Sequence, residues 1–258
     1  MQETYRRLKG LVGEDTIGRG NFIQEEIKKF GSTPVVYELD SPRGKDRHIV
    51  AKVSQGNGDE LWITANYDTF GRLPGANNNA SGVVSLLGLM EYVHDNKLPI
   101  NMRFVYFDAG LDPDLVQKKK RNPKYIQGSQ LFVKHILGKE LDFIETYSGT
   151  LTVQGVGRGT LSVFERTGRY GVNSKRMNDN ILTLGKEMSI NVDLIPHSPN
   201  ADNESFIQEG LEATVVSRYH EGSWHRMQTK GDDMNNISIQ DIEGTIEFLY
   251  RYLESHSK

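Results

Sequence analysis

The sequence of 258 residues contains no cysteine, and this absence excludes several kinds of chemistry at once. Without thiols there can be no disulfide bond, thiolate nucleophile, Fe–S cluster or cysteine-rich zinc site. The chain also lacks any run of about 18 apolar residues that would span a membrane, and residues 1–7 have no apolar segment typical of a secretory signal. The sequence therefore predicts no membrane partner and a cytoplasmic location, with the reservation that a signal removed before residue 1 would be invisible.

An excess of one charge sign is missing as well. The chain has 31 Lys and Arg against 34 Asp and Glu, which gives a formal net charge of −3. Because binding to a nucleic-acid backbone requires a concentrated positive field, we expect no nucleic-acid partner. The longest run of charge, residues 118–121, lies in a segment from Asp112 to Gln127 that has little periodicity and is predicted to be an exposed loop.

Helical and strand patterns alternate along the chain. Apolar residues recur at helical spacing in three segments, at 17–30, 83–93 and 239–253. Short runs rich in β-branched and aromatic residues occur at 35–37, 49–51, 61–63, 102–107 and 213–216. No repeat or Pro/Gly/Ser linker divides the sequence. We therefore predict a single α/β domain over residues 1–258, with helices on both faces of a sheet.

One strand pattern continues into an unusual polar segment. Residues 62–68 read W-I-T-A-N-Y-D, and residues 74–83 read P-G-A-N-N-N-A-S-G-V directly before a helical pattern. Residues 103–109, R-F-V-Y-F-D-A, follow that helix. Asn and Ser are common in turns and at helix N-caps, so the three asparagines are explained here as turn and cap residues. Capping does not explain the whole string.

The order of these strings resembles that of peptidase family M28, the di-zinc aminopeptidases. The corresponding family strings read A-H-Y-D, P-G-A-D-D-N-A-S-G-V and F-x-A-E-E-x-G-L-x-G-S. Residues 202–206, D-N-E-S-F, and 228–233, Q-T-K-G-D-D, resemble the family's later S-D-H-x-x-F and H-T-P-x-D-T. The resemblance implies a three-layer α/β/α sandwich with a mixed, mostly parallel central sheet.

Carried over position by position, the resemblance places no zinc ligand in this chain. The family's first His, bridging Asp, pair of Glu and last His correspond here to Asn66, Asn78, Gly110, Leu111 and Gln228. A further Asp ligand falls near Thr146 or Tyr147, neither of which is a carboxylate. Amides bring zinc neither charge nor strong electron donation, and a glycine at the position of the general base cannot accept a proton from water. We therefore expect no metal and no cofactor.

These substitutions predict a metal-less, catalytically inactive aminopeptidase-like protein whose remnant substrate cleft binds a peptide, an amine or a partner protein. The predicted cleft residues are Asn66, Asp68, Asn78, Gly110, Leu111, Asp202 and Gln228. Asp68 matches a family residue that orients a zinc-bound His, and without that His we expect a structural carboxylate. Asp202 and Asp232 are expected to order loops and cap helices. The loop from Asp112 to Gln127 is a candidate surface for a protein partner.

Two alternatives stay open, so the sequence does not decide whether the chain is an enzyme. The first is an active M28-type metallo-aminopeptidase with relocated ligands, drawn from Asp68, Asp108, His197, Asp202, His220 and His225. The second is a metal-independent hydrolase that uses Asp68 as its base.

Two further motifs are weighed against these hypotheses. Residues 220–225, H-E-x-x-x-H, are one residue longer than the zincin motif, and Gly222 favours a loop there. The glycines at 155, 157 and 159 precede a strand pattern rather than a helix, which favours a hairpin turn over a phosphate-binding loop.

Overall fold

The computed structural model describes residues 1–41, 44–56, 58–69, 73–108, 128–140, 143–168, 171–198 and 200–256. Within these residues, nine strands form one mixed sheet. The strands are β1 (Val35–Ser41), β2 (Gly44–Ser54), β3 (Glu60–Asn66), β4 (Asn101–Phe107), β5 (Tyr147–Val153), β6 (Thr160–Thr167), β7 (Gly171–Val172), β8 (Val192–Ser198) and β9 (Ala213–Tyr219). The α-helices are α1 (Gln2–Leu11), α2 (Thr16–Lys29), α3 (Ser81–Asn96), α4 (Gly128–Lys139), α5 (Phe143–Thr146), α6 (Lys175–Glu187), α7 (Asn203–Gln208) and α8 (Ile239–His256). An irregular π-type turn, Ala76–Ala80, precedes α3, and a 3-10 turn, Met234–Asn236, precedes α8.

The strand order is β1-β2-β4-β3-β5-β9-β6-β7, and β8 also pairs with β6. The four central strands, β4, β3, β5 and β9, run parallel to one another. Antiparallel pairs flank them, with β2 beside β4 and β6 beside β9. The prediction of a mixed sheet with a mostly parallel centre is therefore confirmed. The carboxyl ends of the central strands lie at one edge of the sheet, which we call the carboxyl edge, and ligands of open α/β sheets bind at such an edge.

Both faces of the sheet are buried, because alternate side chains of each strand point to opposite faces. In β3, Leu61, Ile63 and Ala65 belong to a core shared with helices α1, α2, α3, α6 and α8. Trp62 faces the other way and packs among Phe132 of α4 and Phe206 of α7. This arrangement confirms the three-layer α/β/α sandwich.

The elements with the clearest patterns form where the sequence predicts them. The helical segments at 17–30, 83–93 and 239–253 are α2, α3 and α8, and the five strand runs lie in β1, β2, β3, β4 and β9. None of the helices in the described part of the chain has the length and apolar character needed to cross a lipid bilayer.

The expected hairpin turn at Gly155 to Gly159 is wrong. These residues connect β5 to β6, but β9 lies between those two strands and pairs with both. Local turn composition could not reveal this, because the strand that separates β5 from β6 comes about fifty residues later in the sequence.

A buried arginine in α2 joins the first part of the chain to the carboxyl edge. Arg19 donates hydrogen bonds to the carbonyl oxygens of Leu11 at 2.9 Å, Tyr67 at 3.3 Å, Pro74 at 2.8 Å and Gly75 at 3.2 Å. Tyr67 follows β3, and Gly75 precedes the π-type turn. A single guanidinium thus holds together two segments that carry site residues.

We expect Arg19→Met to lower the free energy of unfolding by at least about 3 kcal/mol, because each buried acceptor left without a donor costs about 1–3 kcal/mol. Urea denaturation measures this change. The matched control is Arg251→Met, since Arg251 lies in α8 and is exposed, and its ion pair with Glu254 is solvated. Equal effects of the two substitutions would contradict the role assigned to Arg19.

Candidate functional site

Asn66 and Asp68 lie where β3 ends at the carboxyl edge, and both side chains are buried. The Asn66 Nδ2 donates a hydrogen bond to Asp68 Oδ1 at 3.1 Å. Because an ionised carboxylate only accepts hydrogen bonds, this contact fixes the orientation of the Asn66 amide. The Asn66 Oδ1 is consequently directed elsewhere, and it has no hydrogen-bond partner within the described part of the chain.

The π-type turn presents Asn78 to the same edge. The backbone N–H groups of Asn77 and Asn78 donate to the two carboxylate oxygens of Asp232, at 2.5 and 3.1 Å. The prediction that Asp232 orders a loop is thereby confirmed. Asn78 departs from helical geometry, with φ −116° and ψ 82°, and the peptide bond to Asn79 is cis. Its side chain is 1% exposed, and neither Oδ1 nor Nδ2 has a partner among the described residues.

The neighbouring asparagines do not cap α3, so that expectation is wrong. Asn79 Nδ2 donates to the carbonyl of Val153 at 3.0 Å, and its Oδ1 accepts from the N–H of Gly155 at 3.0 Å. Asn77 Oδ1 accepts from the N–H of Gly157 at 2.7 Å. These amides therefore supply hydrogen bonds to the backbone that leaves β5, which is distant in sequence and invisible to a local pattern.

Gln154 is a site residue that the sequence analysis missed. In the register of β3 and β5, Thr64 pairs with Thr152, and their hydroxyl oxygens are 2.8 Å apart on one face of the sheet. Asn66 and Gln154 each follow by two residues, and the alternation of side chains along an extended chain predicts the same face for both. Gln154 is 4% exposed, and its Oε1 has no partner in the part of the protein that the structure describes.

The expected site position near Thr146 or Tyr147 is wrong, because both residues lie at the opposite edge of the sheet. Tyr147 begins β5 and pairs with Glu60, the first residue of β3. Gln154 could have been predicted from the sequence because it directly follows a strand, just as Asn66 stands at the end of β3. We call Asn66, Asn78 and Gln154 the amide cluster.

The amide cluster is energetically unusual. Buried polar groups are nearly always hydrogen-bonded, and each one left unpaired costs about 1–3 kcal/mol. The cluster carries three such oxygens and one such NH₂ group within the described residues. An arrangement of this kind is typical of a site that a ligand or ordered water completes.

Asp202 is 4% exposed, and the charge of Asp68 acts on it. It precedes α7, but its side chain makes no capping hydrogen bond, so the expected cap is wrong. Burial raises the pKa of Asp202 to about 7, a hydrogen bond with Ser129 opposes this change, and the negative charge of Asp68 adds to it. A carboxyl group with such a pKa is partly protonated near neutral pH.

Two more charged groups lie at this edge among the described residues. Burial raises the pKa of Asp232 to about 6, against the lowering effect of the N–H groups of Asn77 and Asn78 and of the Arg19 charge. Burial lowers the pKa of Arg19 to about 10, although Asp68 and Asp232 favour its charged form. The Arg19 guanidinium thus interacts with the charges of Asp68 and Asp232, whereas the charge that acts on Asp202 is that of Asp68.

The structure brings together four of the seven predicted cleft residues, namely Asn66, Asp68, Asn78 and Asp202. Gln228 is exposed and has φ of 60° in the connection between β9 and α8. Gly110 and Leu111 lie outside the described residues, as does the loop from Asp112 to Gln127.

The alternative with relocated metal ligands receives no geometric support. Over the described ranges, no three His, Asp or Glu side chains are grouped so that they could hold a metal ion. His220 and His225 have ring centroids 5.1 Å apart but lie in a turn region, as the H-E-x-x-x-H spacing indicated, and not on one face of a helix.

The sheet topology and the position of the site define an aminopeptidase-like α/β protein. The model of peptidase family M28 matches residues 48–252, and the chain belongs to this family. Over 182 residues, the chain is 25% identical to the vacuolar membrane protease of Candida tropicalis. The match covers 70% of this chain but only 18% of that protein, so the chain spans less than a fifth of its relative.

Solved structures share the fold over nearly the whole chain. The LapA aminopeptidase of Legionella pneumophila superposes with a TM-score of 0.78 at 16% identity, covering 100% of this chain and 72% of LapA. The glutaminyl cyclase of Porphyromonas gingivalis gives a TM-score of 0.75 at 18% identity, covering 99% of this chain and 96% of the cyclase. At these identities the similarity shows the fold, and the aminopeptidase and cyclase activities are those of the two proteins compared.

Proposed function

We propose that this member of peptidase family M28 holds no zinc pair and does not hydrolyse peptides, and that its carboxyl-edge cleft instead binds a peptide, an amine or a partner protein. The observation that carries the proposal is the amide cluster. Asn66 and Asn78 stand at positions where the sequence pattern of the family has a His and a bridging Asp. Gln154 directly follows β5, the strand that pairs with β3, and its oxygen is likewise unpaired within the described residues.

The side chains present do not fit a zinc pair. Zinc sites in proteins are built from imidazole nitrogen, thiolate sulfur and carboxylate oxygen, whereas an amide offers a neutral and weakly donating oxygen. The Asn66 NH₂ group is directed to Asp68, so this residue can present only such an oxygen to the cleft. Gln228, at the position of the family's last His, is also an amide.

The replacements preserve hydrogen-bonding capacity while removing charge. Carboxylates that surround an absent cation repel one another, whereas amides do not. This difference supports a site that is adapted to work without metal, and an amide lining favours polar ligands held by hydrogen bonds. The loop from Asp112 to Gln127 stays a proposed surface for a protein partner.

The proposal is tested by metal analysis and peptidase assays on protein purified without chelator and then incubated with zinc. We expect far less than one zinc ion per chain and no hydrolysis of aminoacyl anilides above the uncatalysed rate. One or two zinc ions together with chelator-sensitive turnover would establish the metallo-aminopeptidase alternative. Turnover that resists chelator but is lost in Asp68→Asn would establish the metal-independent hydrolase.

A further inference from the structure

A large cavity opens at the amino edge of the sheet, where the parallel strands β3 and β4 begin. Its volume is about 780 Å³, and it lies at the opposite end of these strands from the amide cluster. A cavity of this size can hold a small organic molecule. Its charged lining comes from β2, β3, β4 and the end of α4, and consists of Lys52, Glu60, Arg103, Lys139 and Glu140.

One wall of this amino-edge cavity is the connection between β2 and β3. Asn101 holds it in place, because its Oδ1 accepts from the N–H of Gly56 at 3.2 Å and its Nδ2 donates to the carbonyl oxygen of Gly58 at 2.8 Å. A Cβ atom at Gly56 would lie 2.5 Å from the carbonyl oxygen of Pro99, so this close approach requires glycine. The Asn101 amide is therefore used by the protein itself.

The two carboxylates of the cavity are engaged by Arg103. Its Nε lies 2.8 Å from Glu60 Oε2, and its Nη1 donates to Glu140 Oε2 at 2.9 Å. Glu60 Oε2 also accepts from Trp62 Nε1 at 2.8 Å. Glu140 Oε1 accepts from the Tyr37 hydroxyl at 3.2 Å. The guanidinium lies over the Trp62 ring, 4.3 Å from its centroid, so the whole group is held rigidly.

The two lysines, in contrast, have hydrogen-bond donors to spare. Lys52 Nζ is 3.9 Å from Glu140 Oε2, which is too far for a hydrogen bond, and Lys139 has no ion-pair partner among the described residues. Each ammonium group has three N–H donors and no acceptor. Three cationic side chains share the cavity with two carboxylates. The cavity therefore favours a ligand that is anionic and rich in acceptors.

We propose that the amino-edge cavity binds a small phosphate monoester, with Lys52 and Lys139 contacting its phosphate group. A phosphate monoester carries close to two negative charges at neutral pH and three acceptor oxygens, so it can accept from both ammonium groups at once. A monocarboxylate offers one charge and two oxygens. This site is separate from the carboxyl-edge cleft and goes beyond the proposed function.

The two tryptophans of the chain, Trp62 and Trp224, provide the readout. The Trp62 indole N–H is bonded to Glu60, which lines the cavity, whereas Trp224 lies beside Gly155 at the carboxyl edge. Glycerol 3-phosphate is titrated into ¹⁵N-labelled protein at constant ionic strength, with glycerate and glycerol as the matched monocarboxylate and neutral controls. We expect glycerol 3-phosphate to shift the indole signal of Trp62 but not that of Trp224. It should bind at least about tenfold more tightly than glycerate.

Substitutions of single lysines test the two phosphate contacts. Lys52→Gln and Lys139→Gln should each weaken glycerol 3-phosphate binding about tenfold, because each removes one charge-assisted contact. The matched control is Lys134→Gln, since Lys134 is exposed in the same helix as Lys139 and is not among the described residues that line the cavity. It should leave binding unchanged. All three lysines are exposed, so none of these substitutions should change the melting temperature of the free protein.

Three results would overturn the inference: no shift of the Trp62 signal, equal binding of glycerol 3-phosphate and glycerate, or equal loss of binding in Lys134→Gln and Lys139→Gln. A shift of the Trp224 signal alone would place the phosphate at the carboxyl edge and would also contradict it. None of these outcomes bears on the zinc and turnover measurements, which decide the proposed function separately.

Discussion

Asp202→Asn should raise the free energy of unfolding above pH 7, by up to about 4 kcal/mol at 1.36 kcal/mol per pKa unit. The folded protein holds the pKa of Asp202 at about 7, above the ordinary value of 3.8, chiefly because the carboxyl group is buried. Between pH 4 and 7 the folded state therefore binds more protons than the unfolded state, and stability falls as the pH rises. Below pH 4 the carboxyl group is protonated in both the folded and the unfolded state, so Asp202 no longer makes the free energy of unfolding depend on pH.

Denaturant unfolding at several pH values between 4 and 9 measures this effect. The asparagine keeps an oxygen that can accept from Ser129 but carries no charge, so the variant should lose the part of the pH dependence that Asp202 contributes. Asp193→Asn, on the exposed face of β8, is the control and should leave the profile unchanged. If Asp202→Asn were destabilising at pH 8, the ionised carboxylate would make stabilising contacts in the folded protein, and burial would not dominate its pKa.

The triple substitution Asn66→His, Asn78→Asp and Gln154→Asp should create a zinc site, with affinity about 100-fold or more above that of the parent protein. One imidazole and two carboxylates would replace three neutral amides at adjacent positions of the carboxyl edge. Asp68 already contacts residue 66 and would orient the new His, as carboxylates do for zinc-bound imidazoles. Competition with a chromophoric chelator measures the affinity.

A matched triple variant tests the position of Gln154. It keeps Asn66→His and Asn78→Asp but carries Thr146→Asp instead of Gln154→Asp. Thr146 ends α5 next to the start of β5, at the far edge of the sheet, and is exposed. This variant should bind zinc more weakly than the first. Equal affinities would show that Gln154 does not face the cluster, and tight zinc binding by the parent would contradict the proposed function.

Much of the architecture is visible in the sequence, since the helices α2, α3 and α8 and the five strand runs follow from spacing of apolar residues alone. The family strings around Asn66 and Asn78 also predict two of the three members of the amide cluster. The predicted single domain over residues 1–258 stays a prediction.

The failures share one physical cause. The asparagines at 77 and 79 were expected to cap a helix, the glycines at 155 to 159 to form a hairpin, and a site residue to lie near Tyr147. In each instance, the structure depends on which strands pair with one another and on which loops contact the carboxyl edge of the sheet. Those contacts form between segments about 50 or more residues apart, and a local pattern does not contain them.

The sequence by itself determined the class of fold and the absence of thiol chemistry, and its resemblance to peptidase family M28 predicts that amides stand where the family's strings have zinc ligands. These properties depend on residue identity and on periodicity along a single element. Only the tertiary structure decided that Gln154 lies at the same edge as Asn66, that the amide oxygens are buried without partners among the described residues, and that the charge of Asp68 acts on Asp202. Burial and hydrogen-bond satisfaction are set by neighbours from distant parts of the chain, so they exist only after those parts have packed together.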